Sequence, residues 1–100
     1  MTRHPRQEGE QFSKFVVFSQ HALDQMPERG VTREEVELAI TSGERALAKK
    51  GRMAFRKNLP FQAWWKGRYY EGKQILAIVT EEPNRWVVIT VYVFYFGGHS

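Results

Sequence analysis

Apolar positions along the chain change period near Gly43. Before it they recur at helical spacing, with Ala22, Leu23 and Met26 in one stretch and Val36, Ala39 and Ile40 in the next. After it they alternate at strand spacing, so the pattern predicts helices first and sheet second. A short strand over Lys14 to Phe18 (KFVVF) leads in. Ser19 is a good N-cap, Phe18 and Leu23 suit a hydrophobic staple, Pro27 strains the last turn and Gly30 fits a left-handed stop, so the first helix should run between Ser19 and Gly30. Thr32 with Glu35 three residues on predicts a capping box, Val31 with Val36 a second staple, and Gly43 the end of the second helix.

Four candidate strands follow, Arg52 to Lys57, Ala63 to Tyr70, Gln74 to Thr80 and Trp86 to Phe96. Glu71-Gly72 is expected to turn one hairpin and Glu81 to Arg85 (EEPNR) a slightly longer one, which makes the last three strands an antiparallel meander. On the final strand Val87, Ile89, Val91 and Val93 should meet the helices, while Thr90 and Tyr92, with Trp86 and Phe94, should face the open side. Lys66 and Arg68 are expected to share that open side. The fold class is α+β, two N-terminal helices packed on one face of a curved antiparallel sheet.

Composition narrows the chemistry. One hundred residues, 42% hydrophobic and 26% charged, suit one domain, here 14–97, preceded by a polar leader over 1–13 that is expected to be flexible. No apolar run is long enough for a transmembrane helix, and the leader lacks the apolar centre of a secretory signal, so the expected location is cytoplasmic, without a membrane partner. Cysteine is absent and His4, His21 and His99 stand far apart, which makes a poor metal set; the expected chemistry uses neither metal nor cofactor.

The net charge of +4 is unevenly spread. Arg45, Lys49, Lys50, Arg52, Arg56, Lys57, Lys66 and Arg68 fall between Arg45 and Tyr70 without one acidic residue, interleaved with Phe55, Phe61, Trp64, Trp65, Tyr69 and Tyr70. Cations among stackable rings suit a polyanion with stackable bases. A solubilising charged face over ordinary core aromatics gives the same composition.

The motifs then become legible together. His21-Ala22, Met26, Glu28-Arg29-Gly30, Val31, the capped segment Thr32 to Gly43 and the strand Val88 to Tyr92 (VITVY) resemble a widespread bacterial and phage family of unknown function, over roughly Phe15 to Tyr95. The aromatic stretch LPFQAWWKGRYY is a departure from its pattern. That family has been grouped with the fold of RelE-type toxins, barnase, EndoU and the colicin ribonucleases. The resemblance implies a RelE/barnase-like, metal-independent endoribonuclease, the toxin of a toxin–antitoxin pair, with RNA and a cognate antitoxin protein as partners.

Metal-free RNA cleavage needs a base for the 2′-hydroxyl, cations for the phosphate and an acid for the leaving oxygen. His21 can serve as base or acid, or can fix the helix through a backbone hydrogen bond. Arg29 can grip phosphate with its planar fork or lock the turn between the helices. Thr90 and Tyr92 can position phosphate or protonate the leaving group, and both are also ordinary strand residues. These four are the candidate catalytic set. Arg52, Arg56, Lys66 and Arg68 are the candidate RNA-binding set, since charge alone suffices there. Glu28 and Gly30 read as structural. A non-catalytic nucleic-acid-binding or protein-binding module on the same fold is the alternative.

Overall fold

Ser19 and Thr32 start the two helices as their sequence context requires. In the computed structural model, which describes residues 14–98, α1 spans Gln20–Arg29 and α2 spans Arg33–Ser42. The Ser19 side chain accepts from the Ala22 amide, and Thr32 and Glu35 close a reciprocal capping box. Gly30 ends α1 in the left-handed region at φ 77, its amide donating to the Met26 carbonyl at 2.9 Å. The leader expected over 1–13, with His4, lies outside the described residues, as does His99.

The strands are β1 (Phe15–Phe18), β2 (Glu44–Leu47), β3 (Met53–Trp65), β4 (Arg68–Glu82) and β5 (Arg85–Phe96). They form one five-stranded sheet in the order β1-β5-β4-β3-β2, with both helices on one face. The meander of β3, β4 and β5 is antiparallel, as expected, but the sheet as a whole is mixed because β1 pairs with β5 in parallel. No hairpin joins β1 to its neighbour; the helices carry the chain away between them, and that is the connection parallel neighbours require.

Two details depart from the alternation read in the sequence. The hairpin turn falls at Lys66-Gly67, not at Glu71-Gly72, so it splits the second candidate strand: Ala63 to Trp65 continue the first one as β3, and Arg68 to Tyr70 open β4. A two-residue hairpin favours positive φ at both central positions, and Lys66 (φ 52) with Gly67 (φ 84) supplies them. Gly72 stays extended inside β4, with the ring of Phe96 against the place where a Cβ would stand.

The second departure is a bulge at Ile89, where the β4–β5 register shifts between Ile78 and Val79. It reverses the phase, so Trp86 and Val88 face the helices with Val91 and Val93, while Val87 turns to the open side. The core fills accordingly: Val36, Ala39 and Ile40 of α2 and Ala22 and Met26 of α1 meet Phe55, Ile75, Ala77, Val79, Val88 and Val91 of the sheet.

Candidate functional site

The strip of α1 that faces the sheet also closes the outer edge of β5. Ser19 donates its amide to the Val88 carbonyl at 3.0 Å and its hydroxyl to the Ile89 carbonyl at 3.2 Å. One turn and a half further, buried Gln25 accepts the Val91 amide through Oε1 at 3.0 Å. One more turn on, Arg29 donates Nη1 to the Val91 carbonyl at 2.7 Å. These positions recur at the spacing of one helix face. Because Arg29 ends α1, its guanidinium reaches around the strand edge to lie over the Tyr92 ring, 5.3 Å from its centroid.

On the inner side, the turn between the helices is tied down by groups the sequence reading passed over. Lys73, only 5% exposed, donates Nζ to the Gly30 carbonyl at 2.7 Å and to Glu35 Oε1 at 2.9 Å, and stands over the Phe61 ring at 5.2 Å. Tyr95 donates its hydroxyl to the Arg29 carbonyl at 2.8 Å, and Trp65 stacks on it at 5.4 Å. Burial, then the Glu35 carboxylate and Tyr70, push the Tyr95 phenol up to about 12. Gly30 is doubly constrained, by its positive φ and by a Trp65 ring atom 2.8 Å from the place of a Cβ. Past a bulge at Phe61-Gln62, where Gln62 takes φ 52, the β3–β4 hairpin thus brings its tip against this turn.

Between that tip and the end of α1 an open recess of about 250 Å³ lies along β5, lined by Glu28, Arg29, Trp65, Lys66, Tyr92 and Phe94 among others. Lys66 holds its ammonium 5.3 Å from the Trp65 ring and is exposed. Two cations, a phenol, a carboxylate and flat rings suit a phosphodiester with an unstacked base. Arg29 has one fork nitrogen committed to Val91, and the fixed group can still face an anion with the rest.

Of the residues singled out from sequence, Arg29, Tyr92 and Lys66 therefore meet. Thr90 is half-buried two positions before Tyr92 on the open face of β5. Arg56 shares that face two strands away, through the register Arg56, Leu76 and Tyr92. Lys66 and Arg68 do not join it as expected, because one sits in the turn and the other opens β4 beside Trp65, both exposed. Arg52 lies just before β3, and the 13 residues of that strand separate it from Lys66 by about 40 Å. His21 is exposed on α1, makes no side-chain hydrogen bond among the described residues, and stands two turns, about 12 Å along the axis, from Arg29. Glu28, Trp65 and Phe94 were not chosen from sequence; Trp65 reaches the recess only because the turn is at Lys66-Gly67.

A larger hollow of about 370 Å³ opens at the other end of the sheet over Phe55 and Trp86. Its cations are already engaged. Lys14 pairs with Glu81 at 2.6 Å and lies over Trp86, which holds the Glu81 carboxyl below its ordinary value, and Arg45 lies over both rings. Among the described residues no three metal-ligating side chains gather, and no helix is long and apolar enough to cross a membrane.

With the geometry in place, comparison with known families is informative. The model of a domain of unknown function, DUF4258, matches residues 18–93. The chain belongs to the DUF4258 family. The matched span contains all of α1, α2 and β4, and most of β5, so it takes in every residue of the recess except Phe94 and Tyr95. No curated protein and no solved structure significantly matches this DUF4258 chain.

Proposed function

We propose that this DUF4258 protein binds RNA in the recess beside β5 and cleaves it without a metal ion. The observation that supports this reading is the meeting of Arg29, Lys66 and Tyr92, from a helix end, a hairpin turn and a strand, in one recess walled by Trp65 and Phe94. Arg29 and Lys66 offset the charge on the phosphate, and the rings hold a splayed base. Glu28, exposed in the same recess, takes the proton of the 2′-hydroxyl. The 2′-oxygen bonds to phosphorus as the bond to the 5′-oxygen breaks, and Tyr92 gives that oxygen its proton. The products are a 2′,3′-cyclic phosphate and a free 5′-hydroxyl. The toxin role, with a cognate antitoxin, belongs to the same proposal.

A second reading, binding without cleavage, is favoured by one observation: His21, the side chain best suited to proton transfer near neutral pH, is not among the recess residues. An RNA oligonucleotide incubated with the protein and excess chelator separates the two. Cleavage to cyclic-phosphate ends, slowed about 100-fold or more by Glu28→Gln and by Tyr92→Phe with binding retained, is expected. RNA bound but left intact selects the second reading, and growth arrest on expression that survives Glu28→Gln separates toxicity from cleavage. Cleavage lost in His21→Ala alone moves the site away from the recess.

A further inference from the structure

Helix side chains cover the outer edge of β5 only as far as Val91. Val91 turns both its amide and its carbonyl outward, to Gln25 and Arg29. In an antiparallel ladder the groups that point away from the neighbouring strand recur at every second residue, so Val93 and Tyr95 turn theirs outward too. Among the described residues none is bonded to them. On the open face of the same segment stand Tyr92, 41% exposed, Phe94, 51%, and Phe96, 44%. A bare strand edge beside exposed rings is a template for another strand.

We propose that the strand it takes is β5 of a second copy of this chain, antiparallel, about a twofold axis at Phe94. The register is self-complementary. Val93 of each copy faces Tyr95 of the other, so all four outward pairs of amide and carbonyl groups find partners across the axis. On the open face Phe94 meets the partner's Phe94, and Tyr92 meets the partner's Phe96, which covers every exposed ring of the segment. Pairing stops at Val91 because Gln25 and Arg29 already occupy it.

The size of the contact sets its strength. At those exposures the three rings offer about 300 Å² per copy, and with the strand edge the total reaches about 1,000 Å², the lower end for specific association. Each copy carries a net charge of +4, so salt favours pairing by screening the repulsion between like-charged copies. If the recess is the RNA site proposed above, the second copy's strand fills it, and self-association shuts the site.

Sedimentation velocity of the full chain, from low micromolar to near-millimolar protein without RNA, tests the proposal. A reversible dimer that tightens as salt rises is expected. Phe94→Lys should abolish it, since one substitution sets two ammonium groups face to face, and Phe96→Lys should weaken it, with circular dichroism showing both folded. A monomer throughout, a dimer indifferent to both substitutions, or a dimer that salt dissociates overturns the proposal. RNA binding is read separately at protein concentrations where the chain is monomeric. Failure there removes the RNA reading and leaves the dimer standing; with both intact, RNA should dissociate the dimer, and a dimer that binds RNA undiminished would overturn the occlusion.

Discussion

Lys73 and Lys66 stand on either side of the turn between α1 and α2, and the chain uses them in opposite ways. Lys73 is buried, donates to Gly30 and Glu35, and joins the turn to β4. Lys66 is exposed at a hairpin tip, with a ring beneath it and open space in front. The aromatic pair beside them divides likewise: Tyr95 is bonded inward to Arg29, while Tyr92 opens to the recess. Saturated polar groups hold the fold, and unsaturated ones at its border remain for a ligand.

Removing Lys73 gives the largest effect expected from this contrast. Lys73→Ala leaves the Gly30 carbonyl without its donor and the Glu35 carboxylate with the Thr32 amide alone, and should cost about 3 kcal/mol in urea unfolding. Lys66→Ala should stay within about 0.5 kcal/mol of the parent. Equal losses would erase the distinction between the two lysines.

The tyrosines sharpen it by a smaller amount. Tyr95 keeps its proton in the folded chain to about 12, against 10.0 for the free side chain. Between those values the unfolded chain releases this proton and the folded chain retains it, so stability should fall as pH rises through that window. Tyr95→Phe removes that part of the decline. Unfolding midpoints measured from pH 9 upward check this, and a variant that declines as steeply as the parent would show that Tyr95 is not shielded.

Much of the frame was legible because its signals are local. Ser19, the Thr32 and Glu35 box, Gly30 and the strand alternation each act over a few residues, and the helices and meander follow from them. The bulge at Ile89 was not legible, since nothing in VVITV marks which residue the partner strand will skip. The turn was misplaced because Glu71-Gly72 and Lys66-Gly67 both suit a hairpin locally; the packing of Trp65 on Tyr95 and of Phe96 over Gly72 accompanies the second. The recess depends on that choice, so Arg29 and Tyr92 could be named from sequence while Trp65 and Glu28 could not. Lys73 was missed because its partners lie 38 and 43 residues away.

The most direct test of the recess as an RNA site is the salt dependence of RNA affinity, by fluorescence anisotropy with a labelled single strand. Affinity should fall steeply with salt, and Lys66→Ala should weaken binding and lower the slope of log affinity against log salt by about 0.7, the loss of one phosphate contact. Arg52→Ala, about 40 Å away, should change neither. A Lys66→Ala protein that binds RNA like the parent, with an unchanged slope, would contradict the account.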